Sequence, residues 1–194
     1  MALMPDDILL TARLTLRDPK AGVRIVMGWP LTVTELWLVL ALLASLSALL
    51  AEVMVGLTSG EVDPTMAVML QSPLGFAAVQ FAGLGVMAVL LFALGRPFGG
   101  TGQFAQALAA VGWLQCILLV VQIAQIVAIL VLPVLALLIA VGSLVLAIWL
   151  LTNFTAELHG FRSLFLTLLA IVAAFMGMIV LLSIALIVVF GVGA

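Results

Sequence analysis

Charge is the scarcest feature of this sequence: six basic and eight acidic side chains serve 194 residues, so 7% of positions are charged, where a soluble domain carries about 25%. Such a chain cannot coat a water-facing surface. With 67% hydrophobic residues it would expose apolar patches far above what a soluble monomer tolerates, so the solvent for most of it is lipid. The net charge of -2 argues against a nucleic-acid partner, which would require a basic face. A lone cysteine, Cys116, rules out an intrachain disulfide or a cysteine metal site and reads as a small core hydrophobe. Ionisable groups are also missing from the middle of every apolar run, which weighs against proton- or ion-coupled transport.

What is present is a series of long apolar runs. No charge lies between Asp63 and Arg96, between Arg96 and Glu157, or after Arg162. A span needs about 20 residues at 1.5 Å rise, whereas residues 104–152 in one helix would reach roughly 73 Å, so that run must turn back. The expectation is an all-α, polytopic transmembrane bundle. Its five spans fall near 31–51, 74–95, 104–124, 128–152 and 164–190, within a domain covering 31–194. The turn between spans three and four lies either at Gln122–Gln125 or at Pro133, the only punctuation in that run. The first apolar run is too long, and its basic residues too distant, for a secretory signal.

An odd number of spans puts all six basic residues on one side: Arg13, Arg17, Lys20 and Arg24 before span one, Arg96 after span two, Arg162 after span four. The positive-inside bias then predicts a cytoplasmic N-terminus, an external first loop with Glu52, Glu61 and Asp63, and an external Ala194. Arginine over lysine, with abundant alanine, leucine, valine and glycine, suggests a bacterial inner membrane. Trp29, Trp37 and Trp149 fall near cytoplasmic ends, while Trp113 lies deeper and reads as packed.

Residues 1–30 form a cytoplasmic amphipathic segment. Pro5, Asp6 and Asp7 start one short helix, and Asp18 with Pro19 restarts a second, as an N-cap followed by a first-turn proline. Leu9, Leu14, Leu16, Val23, Ile25 and Val26 either enter the headgroup boundary, with the basic side chains on anionic lipid, or dock on the bundle. Glu35 looks like an intramembrane carboxylate, but Thr32 to Glu35 spell a capping box, and the cap is the better reading. Ala78 with Ala82, and Ala173 with Gly177, are small pairs that allow close helix approach within the bundle or between protomers.

Candidates for chemistry are few. The stretch Gly95 to Gly102, with Arg96, Gly99, Gly100 and Thr101, lacks the spacing and lysine of a phosphate-binding loop and reads as a tight turn, with Gly95 as the C-cap of one helix and Thr101 near the N-cap of the next. Glu157, His159 and Arg162 form a titratable cluster in the loop after span four. One imidazole and one carboxylate are too few for a metal, and His159 lacks a serine or cysteine partner on its side, so a structural or lipid-facing loop is expected. Gln80, Gln115, Gln122 and Gln125 are the intramembrane polar groups, read as interhelical hydrogen-bonding residues or, alternatively, as the lining of a small neutral transporter or channel. No catalytic residue, metal or cofactor is expected. The partners expected are membrane lipids, further copies of the chain, or a larger membrane complex, and an enzyme acting on lipid through Glu157 and His159 ranks last.

Several features together resemble the Yip (Ypt-interacting protein) family of five-spanning membrane proteins. They are Asp18, Pro19 and Lys20 in a short basic leader; Gly99, Gly100, Thr101, Gly102, Gln103 and Phe104 opening span three; a back-to-back span pair; and Trp149 before Leu158, His159 and Gly160. The resemblance covers most of the chain. It implies the five-span topology and a non-enzymatic scaffold, assembly or trafficking-like role. Eukaryotic relatives contact small GTPases through a longer N-terminal region than the roughly 30 residues here.

Overall fold

The computed structural model describes residues 5–57, 72–96 and 99–191. Among them the chain forms α1 (Pro5–Arg17), α2 (Pro19–Met27), α3 (Val33–Leu57), α4 (Pro73–Gly95), α5 (Phe104–Val131), α6 (Pro133–His159) and α7 (Leu164–Phe190), with no strand. The last five are long and apolar enough to cross a membrane, and the protein is an integral membrane protein. Glu61, Asp63, Pro97, Phe98 and Ala194 lie outside the described residues; Glu52 lies within α3.

Local chemistry sets where the helices begin. Asp18 accepts the Ala21 amide ahead of Pro19. The Thr32 amide donates to Glu35 Oε2 at 2.7 Å and the Glu35 amide to Thr32 Oγ1 at 3.3 Å, so Glu35 is a cap. Ser72 and Ser163 cap α4 and α7. One expectation fails between α4 and α5. Helix α4 runs through Gly95 and is capped at Arg96. Helix α5 opens at Phe104, as expected, with its N-cap at Gln103, two residues after Thr101, and the Gln103 amide donates to Gln106 Oε1.

The turn between α5 and α6 is a single extended residue, Leu132, with φ -156 and ψ 99. Pro133 has no amide hydrogen and disfavours helical backbone in the residue before it, yet suits the first position of the helix it begins. The break is therefore at Pro133, and Gln122 and Gln125 lie inside α5. The expected ends at 124 and 152 fell short and the expected start at 128 came too early, because α5 runs 28 residues to Val131 and α6 runs 27 residues from Pro133. At 1.5 Å per residue these reach about 42 and 40 Å, more than the roughly 30 Å of hydrocarbon.

The excess length is used at the end where α2 lies. Almost every residue from Leu150 to His159 is buried, whichever side of α6 it occupies. A helix enclosed all round is surrounded by protein. Phe154 and Leu150 meet Leu108 and Val111 of α5, Leu40 and Ala44 of α3, Leu91 of α4, and Val23 and Val26 of α2 in one core. Helix α1 is fastened there too. The Trp113 indole donates to the buried Thr15 Oγ1 at 3.0 Å, and Trp29 stands edge-on to Trp113 at 5.5 Å.

Of the two readings of the N-terminal helices, docking on the bundle is the one observed, on one face. Val23 and Val26 dock on the bundle, whereas Leu9, Leu10, Leu16 and Ile25 remain exposed for the headgroup boundary. The small-residue pairs serve no contact within the bundle. Ala78, Ala82 and Ala173 are exposed, and nothing lies within 4 Å of where a Gly177 Cβ would be. Close approach is made instead by Gly112 against Leu40, by Gly85 against Trp37, and by buried Ala44, Ala88, Ala107 and Ala110.

Candidate functional site

The helix ends that gather at the packed end of the bundle carry all the basic residues. Arg13 and Arg17 lie on α1, Lys20 and Arg24 on α2, Arg96 at the end of α4, and Arg162 between α6 and α7. Arg24 Nε donates to Glu157 Oε1 at 2.6 Å, tying α2 to the last turn of α6. That hydrogen bond and the carboxylate's charge hold the Arg24 guanidinium above its ordinary range. With its side chain 67% exposed, Arg24 orients α2 more than it stabilises the fold. The Arg96 guanidinium lies 4.5 Å from the centre of the Phe92 ring. Arg13, Arg17 and Arg162 are exposed.

His159 is the residue whose placement departs furthest from expectation. It ends α6 instead of lying in a loop, and it is 5% exposed instead of facing lipid. Glu157 likewise belongs to the last turn of the helix. The His159 Nε2 lies 2.8 Å from the Leu91 carbonyl. A carbonyl can only accept, so Nε2 carries the hydrogen and fixes the ring's orientation. Nδ1 is buried and has no hydrogen-bond partner among the described residues.

The glycines that read as a turn form the wall around this ring. A Cβ on Gly95 would overlap the imidazole. One on Gly100 would stand 2.5 Å from Nδ1, and one on Gly102 2.9 Å from Cε1 and 2.7 Å from Leu158. The Gly100 amide donates to the Gly95 carbonyl at 2.7 Å, which closes the loop over the ring. Gly99 differs: its φ of 74° is a left-handed turn position, and a Cβ there would meet nothing within 4 Å. The Phe161 ring lies 5.4 Å from the imidazole. Glu157, His159 and Arg162 thus do separate work, and no group of three metal-ligating side chains occurs among the described residues.

A second polar cluster joins three spans. Gln80 Nε2 on α4 donates to Ser47 Oγ on α3 at 2.8 Å, Ser47 Oγ donates to Gln122 Oε1 on α5 at 2.9 Å, and Gln122 Nε2 returns to the Ser47 carbonyl at 3.2 Å. Gln115, buried nearer the start of α5, and Gln125, half-buried beyond Gln122, take no part. Ser47, one of four serines in apolar helices, gave no sign in sequence that it would be the hub. Ser47→Ala is expected to cost about 1 kcal/mol, the scale of interhelical hydrogen bonds in membranes. Thermal unfolding in mild detergent measures it, and an unchanged midpoint would show that the cluster adds nothing.

A protein-family model described as the Yip1 domain matches residues 14–187, from the second half of α1 to near the end of α7. No curated protein and no solved structure matches the chain.

Proposed function

The chain belongs to the Yip1 domain family, which its match across residues 14–187 establishes, and from that premise we propose that it acts without catalysing a reaction. In this reading it works through contacts of its helices with lipid, with further copies of itself or with a larger membrane complex, as a scaffold, assembly or trafficking-like component. It sits in a bacterial inner membrane with the basic end cytoplasmic, which the gathering of all six basic residues at one end supports.

The observation that carries the reading is how the buried polar groups are used. His159 is bonded to Leu91, Trp113 to Thr15, and Gln80 and Gln122 to Ser47, so these polar groups hold helices together, while Gln115 and Gln125 stand outside the network. Mild solubilisation followed by mass analysis tests it. A bound lipid, a second copy or a copurifying complex is expected; a bare monomer in every mild detergent would overturn it. Solute flux in proteoliposomes that stops on Gln122→Leu would instead support the conducting alternative.

A further inference from the structure

Residues 126–142, which form the end of α5, the turn and the first part of α6, contain no polar or charged side chain. A turn that emerges into water ordinarily carries some, because its backbone groups and side chains both meet solvent. Of the other helix ends at that side, that of α7 is equally apolar over residues 184–190, and two differ. Helix α3 carries Glu52 near its end, and α4 starts from Ser72.

Here the apolar side chains around the turn are exposed in every direction: Val131 by 77%, Leu132 by 53%, Val134 by 65%, Leu137 by 66% and Leu138 by 64%. Only Ala128 and Ala136, where the two helices touch, are buried. A partner protein would need one apolar face. Exposure all round matches a fluid apolar solvent.

The backbone at the turn is satisfied in part. The Leu132 amide donates to the Ala128 carbonyl at 2.8 Å, the Leu135 amide donates to the Leu132 carbonyl at 2.9 Å, and Pro133 has no amide to satisfy. Pro133 removes one amide that a helix start would leave unpaired, and the groups left over are the Val134 amide and the carbonyls of 129–131, which favours a depth close under the headgroups of the far leaflet over the bilayer centre.

Length then sets the depth. Counted along the two antiparallel helices, Trp113 of α5, buried in the bundle, and the half-exposed Trp149 of α6 lie at comparable distances from the turn, and Trp149 is the one exposed enough to meet the interface. From Trp113 to Val131 the rise is about 27 Å, and from Pro133 to Trp149 about 24 Å, against about 30 Å of hydrocarbon.

We propose that the α5–α6 turn lies within the acyl chains of the far leaflet and does not emerge into water, so that the two helices form a hydrophobic wedge held from its basic end. Its occupant is lipid hydrocarbon.

Spin labels in vesicles test this. In a Cys116→Ala background, a nitroxide is placed by Leu132→Cys, or by Val131→Cys should the first variant express poorly. Val141→Cys in the middle of α6 is the lipid reference and Thr101→Cys the aqueous one. The ratio of collisions with oxygen to collisions with a water-soluble nickel chelate is expected to match the Val141 reference and exceed the Thr101 reference several-fold. A ratio equal to that at Thr101 overturns the proposal. So does spectral broadening at Leu132 that vanishes on dilution with unlabelled protein, since that places a second copy on the tip.

Discussion

Gly95→Ala is expected to destabilise the bundle by about 3 kcal/mol, the upper part of the range for overpacking a filled interior. The added methyl lands on the His159 imidazole, and the ring has no route of escape. Nε2 is bonded to Leu91, Gly100 and Gly102 close the other sides, and the residue ends a helix that is buried all round. The cause can be separated from a general intolerance of α4 by a double-mutant cycle. His159→Ala alone leaves a cavity and costs stability, but in its presence Gly95→Ala has room. The pair should be less damaging than the sum of its parts by about 1–3 kcal/mol. Gly83→Ala and Gly142→Ala, where nothing lies within 4 Å of the new methyl, should be near neutral or mildly stabilising. Thermal midpoints in one detergent compare all five variants. Strict additivity of the Gly95 and His159 changes would show that the glycine cradle is not what holds the ring.

That cradle also marks where the sequence stopped being readable. Membrane residence, the number of spans and the Thr32–Glu35 and Asp18–Pro19 caps follow from composition and from spacings of three or four residues, and the structure reproduces them. Such signals are local, and each residue announces its own partner. The glycines at 95, 100 and 102 carry a turn signal of equal strength whether or not a histidine fills the space between them. Their partner stands some sixty positions along the chain, and no periodicity links the two. Ser47 was hidden for the same reason: its partners Gln80 and Gln122 come from other helices, and only the packing decides which serine meets them. The length of α6 was misjudged from a different cause. Thr152, Asn153 and Thr155 look like the end of a span, but each side chain bonds a carbonyl of its own helix, four residues back. With its polar groups satisfied internally, the helix can continue as a buried post beyond the bilayer.

Whether that post stands in water or inside protein depends on α1 and α2, and Gly22→Val should decide it. A Cβ at Gly22 would overlap Thr15 Oγ1 and approach the Thr15 Cα to 2.7 Å and its Cβ to 2.8 Å. Since Asp18 alone joins the two helices, α1 must swing away to make room. The swing separates Thr15 from the Trp113 indole, leaving a buried N–H unpaired, and the combined cost is about 3 kcal/mol or more. Thr15→Val removes the hydrogen bond while keeping the shape, and should cost nearer 1 kcal/mol. Two readouts report the movement directly. Trypsin should cut faster after Arg17 and Lys20 in Gly22→Val than in the parent. Tryptophan emission should shift as Trp29 and Trp113 lose their edge-on contact. Thr15→Ala combined with Gly22→Val should recover only part of the loss, because the obstruction includes the Thr15 backbone as well as its hydroxyl. Unchanged cleavage and an unchanged midpoint in Gly22→Val would mean that α1 and α2 rest on lipid alone. The outward Leu9, Leu10, Leu16 and Ile25 would then have no docked platform to present them.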